Sequence, residues 1–236
     1  MFSALHDDDA LFGALASVIR GRVAKFKIKY KNESLFQKII GRILFFNSEY
    51  MSKYTTTIGT TVYFPSREFV EKDRFRAFSV LAHEYVHVLD YRKSPFMFVF
   101  LYLFPQVLSL FSLLSLLSLF YSNLWLLSLF SFVFLLPLNS ASRLALELRG
   151  YAMTLAVDIW RHGVASESLK AHIRNVCCGR QYYRMCDDRY RIDRILGDIE
   201  KSILNIDIIG VPVSDTIFAS SDAYQDVYFV LTGIEE

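Results

Sequence analysis

The chain has 236 residues, of which 53% are apolar and 16% aromatic, and its 26 basic and 24 acidic side chains leave a formal net charge of +2. So even a balance argues against a protein that works by neutralising nucleic-acid phosphates, and no nucleic-acid partner is expected. With the very apolar stretch 96–138 set aside, about 190 residues remain, enough for one domain spanning residues 1–236 around its own core.

Met1-Phe2-Ser3-Ala4-Leu5-His6 runs straight into Asp7-Asp8-Asp9, where a secretory leader would carry positive charge, so no signal peptide is expected. From Lys25 to Lys31 the chain alternates strictly, with Phe26, Ile28 and Tyr30 on one face and four lysines on the other. This reads as a half-buried strand whose lysine face is solvated or drawn to anionic lipid head groups. Residues 34–46 predict a helix with Leu35, Phe36, Ile39, Ile40 and Ile43 turned inward. The β-branched and aromatic run Thr55 to Phe64, closed by Pro65, predicts a strand. It is either an ordinary edge or one that takes an extended substrate by strand addition.

Asp73 is a candidate N-cap, and Arg74 to Tyr91 then runs without Gly or Pro, with Phe78, Leu81, Ala82, Tyr85 and Leu89 as an apolar stripe, until Ser94-Pro95 ends it. This predicted helix carries His83-Glu84-Tyr85-Val86-His87, an H-E-x-x-H pattern. Two histidines four residues apart share a helix face and can offer imidazole nitrogens to one metal ion. Zinc held there would activate water and polarise a carbonyl, and Glu84 would take the proton from that water and return it to a leaving amine. The simpler reading is a chance match on an amphipathic helix. A catalytic zinc needs a third protein ligand, and Glu147 is the choice, on a helix predicted from Ser142 to about Trp160. Asp90, on the histidine face, and His162 stay open as rivals, and Arg143 and Arg149 are near enough to make Glu147 an ordinary ion-pair partner.

Between Lys93 and Arg143 lie 49 residues without Asp, Glu, Lys or Arg. A span takes about 20 apolar residues, so the stretch predicts a helical hairpin inserted at about 95–139, with arms near 95–120 and 124–139 and a turn at Tyr121-Ser122-Asn123. The first arm contains Pro105, and the second is short enough to re-enter without crossing. Ser109, Ser112, Ser115 and Ser118 recur every third residue and are expected to pack against Ser128 and Ser131. A hairpin returns both ends to one side, where His83, His87 and Glu147 can meet. The basic flanks Arg92, Lys93, Arg143 and Arg149 put that side in the cytoplasm.

Beyond the hairpin, Asp188 to Leu204 predicts an amphipathic helix, and Ile206 to Val213 and Val227 to Leu231 predict short strands. Cys177, Cys178 and Cys186 form neither a paired disulfide set nor a four-ligand zinc site and are expected as reduced thiols. Tyr151, His162, His172, Tyr182 and Tyr183 are candidate proton donors or oxyanion stabilisers.

The order of H-E-x-x-H helix, paired apolar segments and Glu-bearing helix resembles the membrane-embedded gluzincins, namely HtpX-like endopeptidases and CAAX prenyl proteases, over roughly residues 55 to 160. The resemblance implies zinc ligands at His83, His87 and Glu147 with Glu84 as base. Two departures make this a reduced form: Tyr151 stands where the family pattern E-x-x-x-D has an acid, and no apolar helices precede the motif. The expectation is therefore an α+β zincin-like metallopeptidase domain interrupted by a transmembrane or re-entrant hairpin. It would act as a zinc-dependent, membrane-associated endopeptidase on membrane-associated or unfolded polypeptides, its site facing the cytoplasm. A membrane-anchored binding or scaffold protein with a structural or inactive zinc site is the alternative, disfavoured by the presence of Glu84. A hairpin that permeabilises membranes would be toxic irrespective of Glu84.

Overall fold

The computed structural model describes residues 8–44, 47–136, 138–179, 185–204 and 221–233. Its centre is α4 (Arg74–Lys93), begun by Asp73, whose side chain accepts the Arg76 N–H at 2.9 Å, and ended at Ser94. Ala77, Phe78, Leu81, Ala82, Tyr85 and Val88 on this helix are fully buried. Two helices cover them. On α1 (Asp8–Arg22), Leu11, Leu15 and Ile19 are fully buried, at the spacing of one helix face. On α6 (Ala141–His162), Ala152, Leu155 and Ala156 do the same. Each large side chain so buried stabilises the fold by roughly 1.5–3 kcal/mol. Ser140 caps α6 and Gly163, at φ 82°, stops it, so His162 is its last residue.

The sheet is small: β1 (Lys27–Tyr30), β2 (Thr56–Ile58) and β3 (Thr61–Phe64) in the order β1-β3-β2, with β1 parallel and β2 antiparallel to β3. The single strand expected over 55–65 is thus a hairpin, folded at Gly59, whose φ of 64° suits a residue without a Cβ. With helices predominating, the class is α+β in this coarse sense.

The half-buried strand expected from Lys25 forms as β1, with Phe26 buried and Lys25, Lys27 and Lys29 exposed, but two finer expectations for the N-terminal region are overturned. The alternation from Lys25 stops at Tyr30, where Lys31 opens a 3-10 turn (Lys31–Glu33) and points inward instead of joining the solvated lysines. Its Nζ donates to the Tyr50 carbonyl at 2.8 Å and lies 3.6 Å from the Tyr50 ring centre. Burial lowers its pKa to about 7, against the pull of Glu84. Helix α2 (Leu35–Ile43) carries its apolar face outward, with Leu35, Phe36, Ile39 and Ile43 exposed and Gln37 buried. The cause is what the opposite edge meets: Gln37 accepts the Tyr50 hydroxyl at 2.6 Å, and Gly41 lies against Met51.

After the short α3 (Arg67–Lys72) and α4, the apolar segment begins as α5 (Pro95–Leu103) and bends by 92° into a 3-10 segment (Gln106–Leu119). A second 3-10 segment (Asn123–Leu135) returns beside it. The first arm expected over 95–120 is therefore two elements broken next to Pro105, which has no N–H to continue a ladder. The serine spacing suits this helix type, because residues three apart line up at three residues per turn. Ser109 and Ser112 are buried and the Ser131 hydroxyl donates to the Ser109 carbonyl, while leucines and phenylalanines point outward. Among the described residues no single helix is long and apolar enough to cross a membrane, although the bent pair passes that test by length and composition.

Helices α7 (Glu167–Cys178), α8 (Arg189–Leu204) and α9 (Ser221–Thr232) complete the domain. The strand expected over 227–231 is helical. Ala223, Tyr224, Val227 and Val230 are buried at helical spacing, and Asp226 accepts from Arg22 at 2.7 Å and from the Tyr85 hydroxyl at 2.9 Å. The strand expected over 206–213 lies outside the described residues. All three cysteines are free thiols.

Candidate metal centre

Helices α4 and α6 pack side by side, and where they meet, His83, His87 and Glu147 point at one another. The two histidine Nε2 atoms are 3.1 Å apart, and Glu147 oxygens lie 3.6 Å from His83 Nε2 and 4.0 Å from His87 Nε2. Tetrahedral zinc with bonds of 2.0–2.1 Å separates its ligand atoms by about 3.3 Å, and one ligand atom from each of these three side chains lies within 4.8 Å of the other two, so a small closure of the group would match such an ion. Glu147 is 2% and His87 4% exposed, which removes water as the competing partner for these polar atoms.

Protonation fits as well. Burial opposes the charge on Glu147, but His83 and His87 outweigh it and hold its pKa down at about 2, while burial pushes His87 down to about 4. Glu147 is therefore ionised and His87 neutral at pH 7, the forms in which both ligate. Burial also works against charge on His83, but Glu147 more than offsets it and raises that pKa. A metal ion would compete with a proton mainly there.

The surroundings aim each ligand. His83 Nδ1 lies 3.3 Å from Thr154 Oγ1, whose hydroxyl donates to the Gly150 carbonyl, so Nδ1 can donate to Thr154 and leave Nε2 free of hydrogen. The His83 ring rests edge-on against Tyr151 at 4.8 Å, so the residue in place of the expected acid orients the imidazole by packing. His87 packs against Phe98 and Tyr102, whose rings stack on each other, and its buried Nδ1 has no hydrogen-bond partner among the described residues. Glu147 Oε1 accepts from the Tyr102 hydroxyl at 2.6 Å. Gly150 makes the approach possible, because a Cβ there would lie 2.5 Å from His83 Nε2.

Glu84 is also buried, and its Oε2 accepts the Thr57 hydroxyl of β2 at 2.6 Å. Burial raises its pKa, with Glu147 adding to the rise and His83, Thr57 and Lys31 opposing it. A raised carboxyl pKa suits a group that must take and return a proton near neutral pH. A cleft of about 920 Å³, within the range of ligand pockets, opens onto His83, Glu84 and Glu147.

The rivals for third ligand are placed elsewhere. Asp90 is gripped by Arg149 through two bonds of 2.7 and 3.1 Å that tie α4 to α6, and His162 pairs with Asp158 at 3.0 Å. Arg143 donates to the Tyr102 carbonyl and to Gln106. Tyr151, His162 and His172 all line the cleft, whereas Tyr182 and Tyr183 lie outside the described residues. Thr57, Tyr102, Gly150 and Thr154 were missed by sequence reasoning. Only Gly150 carried a signal, as a glycine inside an otherwise regular helix. Comparison with protein-family models, curated proteins and solved structures finds no match.

Proposed function

We propose that this chain is a zinc-dependent endopeptidase of zincin-like architecture that works at a membrane surface, on membrane-associated or unfolded polypeptide, in the manner of the membrane-embedded gluzincins it resembles. The observation that carries the reading is the buried triangle of His83, His87 and Glu147 beside Glu84, assembled from residues on either side of the apolar segment. Zinc, when bound by these three side chains, supplies the Lewis acidity that activates water and polarises a peptide carbonyl. Thr57 holds Glu84 by Oε2, which leaves Oε1 to accept a proton and pass it to the leaving amine. Edge strand β2, next to Glu84, offers backbone groups along which an extended peptide would lie. Tyr102 ties the apolar segment to Glu147, so the part of the chain that would meet lipid is held directly against the site. A cytoplasmic orientation is supported by Arg92 and Lys93, exposed at the end of α4.

The test is cleavage of unfolded casein by full-length protein in detergent, with and without a zinc chelator, beside Glu84→Gln. Chelator-sensitive cleavage that Glu84→Gln abolishes while keeping its metal supports the reading. Cleavage by Glu84→Gln at the wild-type rate refutes it, and bound metal without cleavage points to a membrane-anchored binding or scaffold protein.

A further inference from the structure

Outside the apolar segment, the described residues expose large hydrophobic side chains singly, at Ile58, Val164, Tyr190 and Leu204, except on α2. There, Leu35 is 74%, Phe36 53%, Ile39 48% and Ile43 67% exposed. Leu35, Ile39 and Ile43 stand one above the other at four-residue spacing, and Phe36 and the half-buried Ile40 widen the row into a continuous face. A soluble surface rarely gathers so much apolar area on one short helix.

The helix cannot roll to hide this face. Its opposite edge is fixed by the Tyr50 hydroxyl on Gln37, and a Cβ at Gly41 would fall 2.9 Å from Met51 Cγ, so the backbone already sits as close as a glycine allows. Ser34 fastens the first turn by accepting the Gln37 N–H. The charges are one-sided. Lys38 and Arg42 are exposed at four-residue spacing next to the Leu35–Ile39–Ile43 row, and α2 has no acidic residue. Exposed Lys25, Lys27 and Lys29 precede it in the chain. An apolar face bordered by cations, with the exposed Glu33 just before the helix paired to Arg67 at 2.9 Å, complements an anionic bilayer surface, where acyl chains take the apolar side chains and phosphates the basic ones.

We infer that α2 is an in-plane membrane helix, seated at the boundary between head groups and acyl chains of an anionic bilayer with Leu35, Phe36, Ile39 and Ile43 immersed and Lys38 and Arg42 at the phosphates. This rests on the reading of the protein as membrane-associated, and adds a second contact, which would fix the height and tilt of the cleft above the lipid.

The test uses full-length protein in a Cys178→Ser background, reconstituted into vesicles of phosphatidylcholine with phosphatidylglycerol. Spin labels are attached through Ile39→Cys or Ile43→Cys, with Leu116→Cys in the apolar segment and Lys53→Cys on the exposed surface as references. Collision with oxygen, which partitions into lipid, is compared with collision with a water-soluble nickel chelate. The expected result is an oxygen-to-nickel ratio at 39 and 43 severalfold above that at 53 and close to that at 116, falling towards that at 53 in phosphatidylcholine alone. Sites 39 and 43 matching 53 while 116 stays in lipid would overturn the inference and leave the membrane reading standing. Site 116 also matching 53 would overturn both. Shielding of 39 and 43 from both reagents would place a protein neighbour, such as a second copy, on this face and overturn it. A ratio unchanged in phosphatidylcholine alone would overturn the anionic assignment.

Discussion

Replacing Gly150 by alanine tests the site at its tightest contact. The new Cβ would stand 2.5 Å from His83 Nε2, 2.6 Å from Cε1 and 2.8 Å from Cδ2. Ordinary contact begins at 3.4 Å, so the ring or the α6 backbone must give by about 0.9 Å in a close-packed interior. Zinc sites tolerate bond-length departures of only about 0.2 Å, so His83 is lost as a ligand. Zinc affinity should fall by at least about 100-fold, the upper end for loss of a supporting group. The fold should survive: overpacking costs roughly 1–3 kcal/mol, of which alanine's better helix propensity offsets about 1. Competition against a chromophoric zinc chelator reads the affinity. Thermal unfolding with and without zinc reads the same loss as a missing stabilisation by ligand. Gly197→Ala is the control, since nothing lies within 4 Å of its added Cβ, and should keep zinc and gain about 0.5–1 kcal/mol. Gly150→Ala binding zinc as tightly as wild type would refute the placement of His83 as a ligand.

Tyr102→Phe removes the hydroxyl that orients Glu147 Oε1 and should weaken zinc binding about tenfold, measured by the same competition. Thr57→Val should leave zinc stoichiometry unchanged but move the acidic limb of the kcat/KM profile to higher pH, because Thr57 holds the Glu84 pKa down and the base works only when deprotonated; an unmoved limb would remove Glu84 from that role. Lys31 has a folded pKa of about 7 against 10.5 for the free side chain, so between these values the unfolded chain binds the extra proton. Stability should therefore rise with pH across that window by up to about 1.4 kcal/mol per unit. Urea unfolding of Lys31→Met should lack that rise.

What the sequence disclosed was what local rules control. Asp73, the unbroken run behind it and Ser94-Pro95 define α4 without reference to the rest of the chain, and the motif histidines share a face because helix geometry requires it. The triplet spacing of serines announced the packed line of the apolar segment, though not that its arms are 3-10, a choice that lies in how the two arms pack. Failures cluster where a distant partner decides. Lys31 turns inward because Tyr50 offers a carbonyl and a ring, and α2 faces outward because Gln37 and Gly41 fit Tyr50 and Met51 better than its isoleucines do. The β-branched, aromatic run in α9 reads as a strand until Asp226 is seen joining Arg22 and Tyr85, more than 100 residues away in sequence. Tyr102, Thr57 and Thr154 converge on the site from other elements, which no spacing rule could reveal.

The most direct test of the central claim is zinc content per chain, measured by elemental analysis after dialysis of the detergent-purified protein, for wild type and Glu147→Ala. One zinc per wild-type chain, lost in Glu147→Ala, is the result that the triangle of His83, His87 and Glu147 predicts. A folded wild-type chain that retains no zinc, or a Glu147→Ala chain that retains it fully, would contradict that claim.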